Sequence, residues 1–220
     1  MVDVWTRQQT LAEVLRAYTY DNRHSGYFQG MGYMALILLK EVVDAENTFW
    51  MLTAVMKNFG VASLYSDING MLYFHYICLR KHSPKLSKHL LLQGIRPSMY
   101  AQSWYLSAFV RDLPYEHALR VWDVFLLKGK CFLLQVGIAL IELKADRLMA
   151  STELGELINI ISDLDNIPSA DELIETARSI HITDSQLMIL ATSFEEYKKK
   201  PYEAYLDDDL KEFSSRKMLD

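Results

Sequence analysis

The 220-residue sequence predicts an all-α protein of about ten helices, and three observations predict it. Apolar residues recur at three- and four-residue spacings along most of the chain. Glycines, prolines and hydroxyl residues stand where such runs begin and end. No series of alternating polar and apolar segments with hairpin signals interrupts them. Half of the residues are hydrophobic and 23% are charged, a balance that supports a sizeable core and excludes disorder over most of the length.

The first helix is read from Leu11, Val14, Leu15 and Tyr18, which share one helical face and end at the turn-forming pair Asp21-Asn22. A glycine-dense connection, Gly26 to Gly32, leads into an apolar segment reaching Val43, read as a buried helix. Phe49, Leu52, Val55, Met56 and Phe59 form the next stripe, stopped by Gly60. Ile68, Leu72, His75 and Leu79 form another, ahead of Pro84. Ser98 can cap a segment burying Met99, Trp104 and Phe109. Pro114 suits the first turn of a helix running through Leu127 to Gly129, and the pattern resumes from Phe132 to Met149. Ser169 with Glu172 and Thr183 with Gln186 match the capping box, in which a hydroxyl and a returning side chain satisfy backbone donors at a helix start.

Composition turns polar after Asp163 and strongly charged after Phe194, without a Gly- or Ser-rich linker. The expected organisation is one domain over residues 1–194 and a charged tail over 195–220, either a solvated helix or disordered. A net charge of −5 argues against nucleic acid as a partner. Cys78 and Cys131 form no Cys-x-x-Cys pair, so neither a disulfide framework nor a zinc site is expected, and a reducing cytoplasmic setting fits. The apolar stretches Met31 to Leu39 and Cys131 to Leu143 are too short to span a bilayer. His75, His82 and His89 recur every seven residues, yet Pro84 would break any helix carrying all three, so they read as structural or surface histidines. Trp50, Trp104 and Trp122 read as core.

Phosphate-cradling and hydrolase signatures are absent from the sequence. The segment that invites a chemical reading is Ser25-Gly26-Tyr27-Phe28-Gln29-Gly30-Met31, a glutamine between aromatics and glycines directly before an apolar helix. Glycines permit close backbone approach, and an amide that both donates and accepts can orient a water. On chemistry alone, a tight turn whose glutamine caps a neighbouring backbone group is the favoured reading.

Gly26-Tyr27-Phe28-Gln29-Gly30-Met31 closely resembles the glutamine-finger motif of the TBC-domain Rab GTPase-activating proteins. Further blocks are similar to that family in the same order. They are Leu11-Ala12-Glu13-Val14-Leu15-Arg16-Ala17-Tyr18, Phe49-Trp50-Met51-Leu52, Ser98-Met99-Tyr100-Ala101-Gln102-Ser103-Trp104-Tyr105 and Ala118-Leu119-Arg120-Val121-Trp122-Asp123-Val124-Phe125. The resemblance covers Gln8 to Asp163, with a small departure at Gln102-Ser103, where the family more often has Gln immediately before Trp.

The resemblance implies a helical domain, lacking its N-terminal portion, that docks on a GTP-bound Rab and promotes hydrolysis in trans. Gln29 would act as catalytic residue, with Gly26, Tyr27 and Gly30 supporting its motif. Arg120 and Asp123 either pair along one helix or touch the GTPase. The chain would bind no cofactor of its own, GTP and Mg belonging to the partner. Vesicle trafficking and intracellular protein transport, in the cytoplasm or peripherally at endomembranes through partners, are the implied setting. The family's second element, an arginine in Ile-x-x-Asp-x-x-Arg, has no match. Asp3 and Arg7 are four apart with no Ile in register, and Arg16 and Arg23 belong to the helix and turn before the glutamine. The arginine is therefore expected upstream of this chain; the alternative is a catalytically inactive Rab-binding or scaffold module.

Overall fold

The computed structural model describes residues 4–23, 26–42, 44–199 and 204–217. Asp3, Ser25 and Val43, named above, lie outside the described residues. The described residues form fourteen α-helices: α1 (Val4–Asp21), α2 (Met31–Val42), α3 (Ala45–Asn58), α4 (Val61–Ser66), α5 (Ile68–His82), α6 (Pro84–Leu92), α7 (Ala101–Leu106), α8 (Tyr115–Lys128), α9 (Lys130–Glu142), α10 (Ala145–Ala150), α11 (Leu154–Ser162), α12 (Ala170–Ser179), α13 (Asp184–Tyr197) and α14 (Ala204–Lys217). One 3₁₀ turn, Pro97–Met99, precedes α7, and the described residues contain no strand. The all-α class stands, with more and shorter helices than periodicity suggests. None is long and apolar enough to cross a membrane among the described residues.

Local chemistry explains the boundaries. Asp44 caps α3 by accepting from the Asn47 amide at 2.7 Å. Ser83 ends one helix and Pro84 opens the next at its first position, so His75, His82 and His89 are split between α5 and α6. Gly129, at φ 75°, terminates α8 with its N–H on the Phe125 carbonyl. The Thr183 and Gln186 pair forms the complete capping box, whereas Ser169 is seen accepting from the Glu172 amide.

Two compact units result. One draws on the chain up to Ile68 and on Ser103–Leu133. Here α1, α2 and α3 pack on one another, burying Val14 and Tyr18, then Met31, Met34, Ala35, Ile37 and Leu38, then Leu52, Val55 and Met56. Each large aliphatic side chain so buried contributes about 1.5–3 kcal/mol relative to exposure. From α8 come Val121, Trp122 and Phe125, the last ring lying 5.6 Å from that of Phe59.

The other unit comprises Asn69–Gln102 and the chain from Leu134 onward. His75 is fully buried against the Tyr100 hydroxyl at 2.9 Å, and burial pushes its imidazole pKa down to about 3, so it is neutral. His89 Nε2 donates to the Ser151 carbonyl at 2.8 Å. The buried Lys144 ammonium donates to the carbonyls of Ile160, Ile161 and Asp163 at 2.8, 3.0 and 2.8 Å, filling acceptors that the end of α11 leaves open. The charged C-terminal stretch does not stay apart from the fold: on α14, Tyr205 and Leu206 are buried with Tyr73, Tyr76, Leu91 and Phe194. Asp209 accepts from the Tyr76 hydroxyl at 2.5 Å and from Arg80 at 2.6 Å.

Several expectations are corrected. Trp104 and Trp122 are buried, but Trp50 is 59% exposed on the outer side of α3. Met99 is also exposed, and Ser98 lies inside the 3₁₀ turn rather than capping a helix. The run from Phe132 to Met149 is two helices, separated at Leu143-Lys144. Pro114 stands one residue before α8, at its N-cap.

Candidate functional site

The glutamine stands in a turn welded to the first unit by its backbone. Gly26 (φ 64°) receives the chain leaving α1, its N–H bonded to the Asn22 carbonyl at 2.9 Å. Phe28 then stacks on Tyr65, with centroids 4.6 Å apart and planes 9° from parallel. The Phe28 carbonyl accepts from the Met31 amide at 3.2 Å, and the Gly30 carbonyl accepts from Tyr33 at 3.1 Å, so the turn runs directly into α2.

Gly30 is the tightest point. A Cβ placed there would lie 2.3 Å from the Leu106 carbonyl oxygen, and its φ of 106° already favours glycine. The close approach anticipated from the glycines is thus to the molecule's own backbone. Tyr65 donates to that same Leu106 oxygen at 2.7 Å. Its phenol pKa is raised by burial, with the Tyr27 and Tyr18 phenols adding to the effect, so it holds its proton and remains a donor.

Beyond Leu106 the chain turns through Ala108 and Phe109, both with positive φ, 45° and 67°. The Trp122 indole N–H donates to the Ala108 carbonyl at 3.0 Å, and Phe109 packs against Trp104 and Tyr105. Phe28, Tyr65 and this left-handed turn are what the sequence did not disclose. Phe28 stood inside the motif, but nothing in helical spacing marks Tyr65 or non-glycine residues for such roles.

The consequence is that Gln29 is exposed while its neighbours Gly30 and Met31 are buried. Its side chain makes no hydrogen bond to any described residue. The reading in which the glutamine caps neighbouring backbone loses its support among those residues. Tyr27 is exposed beside it, its hydroxyl directed toward Gly32. The turn can therefore present an amide to an external group from a fixed backbone position.

The other named side chains lie elsewhere. Arg120 and Asp123 form an exposed i,i+3 ion pair on α8 at 3.4 Å, as their spacing allows. Arg23 covers the Tyr20 ring at 4.3 Å, and Arg16 is exposed on α1. Arg7 acts on Tyr115, whose hydroxyl donates to Glu41 and whose ring carries Lys40 at 3.4 Å. Burial, then the Glu41 bond and the Glu41 and Glu116 charges, push the Tyr115 phenol up to about 12, and Arg7 opposes them. Glu41 is at the end of α2 remote from Gln29, about 15 Å along the axis from Met31 at the usual rise per residue.

A family model described as the Rab-GTPase-TBC domain matches residues 5–149. GTPase-activating protein GYP5 of Saccharomyces cerevisiae is 31% identical over 71% of this chain and 18% of its own length. TBC1 domain family member 10A of Mus musculus is 36% identical over 61% of this chain and 27% of its own. Among solved structures, the Chlamydomonas flagellar RabGAP TBC domain superposes with a TM-score of 0.71 at 25% identity, covering 80% of this chain and 60% of that one. The matched chain thus spans about a fifth to a quarter of these two relatives' length. On the extent of the family match, the chain belongs to the Rab-GTPase-TBC domain family.

Proposed function

We propose that this chain is a GTPase-activating module for Rab-family GTPases, acting in trans on the GTP-bound form, with Gln29 orienting the attacking water. The observation that carries the reading is the exposed, unengaged amide on a turn whose backbone is locked by Gly30, Leu106 and Tyr65. Phosphoryl transfer asks a protein mainly for positioning and electrostatic stabilisation, and a water-orienting glutamine is one recurring part of that apparatus. The family match and the names of the relatives support the partner class.

GTP and Mg belong to the partner in this scheme, and the chain contributes side chains alone. An arginine beside the transferring phosphoryl group is worth ~10³–10⁵ in rate, or ~4–7 kcal/mol. We assign that arginine to a segment outside these 220 residues. A second reading is favoured by the lack of an Ile-x-x-Asp-x-x-Arg motif in the sequence: a module that binds a GTP-loaded Rab and does not stimulate it.

Single-turnover GTP hydrolysis measured across a panel of Rabs tests the assignment, with a parent extended upstream to supply the arginine and its Gln29→Ala variant side by side. The expected result is stimulation by the parent that falls by about two orders of magnitude in the variant, the scale of misplacing a reacting group. An active parent equalled by its Gln29→Ala variant would show the assignment to be wrong. Binding of GTP-loaded Rab by both, with stimulation by neither, selects the second reading.

A further inference from the structure

The second unit carries an open groove bounded by the last turns of α5, by residues 179–182 and by the first turns of α13, with a volume of about 450 Å³. That volume lies in the range of small-molecule sites, which pair a mostly apolar lining with a few polar groups. Ile77, Ile180, Ile182, Ile189 and Leu190 supply the apolar surface. Ile189 is 66% exposed at its edge, apolar area that water covers at a cost unless a ligand replaces it.

The polar part of the lining comprises the Lys81 ammonium, the His82 and His181 imidazoles and the uncharged Ser179 and Gln186. Lys81, His82 and His181 face the groove, and among the described residues no acidic side chain lines it. None of the three forms a hydrogen bond or ion pair with another described residue. The walls are fixed in advance: the Gln135 amide holds the Ile180 carbonyl, and the Thr183 and Gln186 capping box sets the entry of α13. A cavity built before its ligand arrives loses less free energy to ordering on binding.

We propose that this groove binds a single-chain carboxylate amphiphile, a fatty-acid-like anion whose hydrocarbon lies on the isoleucine floor and whose head meets Lys81, His82 and His181. An organic cation of the same length is repelled by that rim. An uncharged alcohol gains the floor alone and forgoes the ionic contacts. The site lies wholly in the second unit and does not depend on the role given to Gln29.

Dodecanoate below its micelle concentration is the probe, used with the full 220-residue chain. Calorimetry measures binding, and mass spectrometry follows alkylation of Cys78, which lines the groove, against Cys131 as internal reference. The expected outcome is saturable one-site binding that protects Cys78 and leaves Cys131 unchanged. Dodecanol should bind more weakly, and dodecyltrimethylammonium should give no protection. Lys81→Glu combined with His181→Glu should weaken dodecanoate by about tenfold, the scale of two exposed ion pairs. No saturable binding, equal protection by the alcohol or the cation, or an unchanged affinity in the folded double variant each overturns the proposal. Should the double variant not fold, the three-ligand comparison on the parent decides.

Discussion

The glutamine turn and the attachment of α14 solve the same problem, fixing a segment to its unit, by opposite means. The turn is held through backbone, with glycine at the point of contact, Leu106 contributing a carbonyl and Tyr65 bracing it. Helix α14 is held through side chains, where Tyr76 and Arg80 both engage Asp209, and Arg96 pairs with Asp207 at 3.0 Å. The first arrangement leaves the segment's own polar side chain unengaged. The second consumes it. A surface intended to act on something else is better anchored the first way, which is why the exposed glutamine has glycines around it and the acidic helix needs none.

The largest expected effect is at the backbone anchor. Gly30→Ala puts a methyl group 2.3 Å from the Leu106 oxygen at a φ of 106°, so the turn must move. Urea unfolding should show a loss of about 4 kcal/mol from strain and clash together. An unchanged midpoint would mean that the turn is softer than its geometry suggests. Asp209→Ala tests the side-chain anchor. It leaves Arg80 and the Tyr76 hydroxyl without their shared acceptor, and a loss of about 2–3 kcal/mol is expected in the same assay, reduced from the fully buried case because Arg80 is partly exposed.

His75 sharpens the contrast through pH. Its folded pKa of about 3 lies below the ordinary value near 6.5, so the unfolded chain takes up a proton that the folded chain refuses. Its contribution to stability is full above about pH 6.5 and is lost, by up to about 1.4 kcal/mol per unit, as pH falls toward 3. Melting temperature followed from pH 7 to 4 should fall less steeply in His75→Gln than in the parent; parallel slopes would refute a buried neutral imidazole. Tyr65→Phe keeps the ring stack on Phe28 and removes the bond to Leu106, for about 1 kcal/mol by urea unfolding. Smallest is Arg120→Ala, which breaks an exposed pair and should move stability by less than about 0.5 kcal/mol.

What the sequence disclosed depended on whether the information was local. The Gly129 stop, the Thr183 box and the Pro84 break are written in adjacent residues, and all three stand where the spacing puts them. Three- and four-residue periodicity identifies a stripe but not whether every member of it points inward. Trp50 therefore read as core and stands exposed. The site divided in the same way. Gln29 and its glycines were visible as a motif, whereas Tyr65 and Leu106 become its supports only through contacts tens of residues away.

The two left-handed residues Ala108 and Phe109 bear on the order of assembly. Each costs about 1–2 kcal/mol in a non-glycine residue, so this bend has no reason to form in isolation. It becomes favourable only when α8 delivers the Trp122 indole and when Trp104 and Tyr105 close on Phe109. The Leu106 carbonyl, just ahead of the bend, then has a fixed position for Gly30, which must return across a long stretch of chain to meet it. Closing so distant a contact costs loop-closure entropy, so the shape of the glutamine turn depends on packing far from it in sequence.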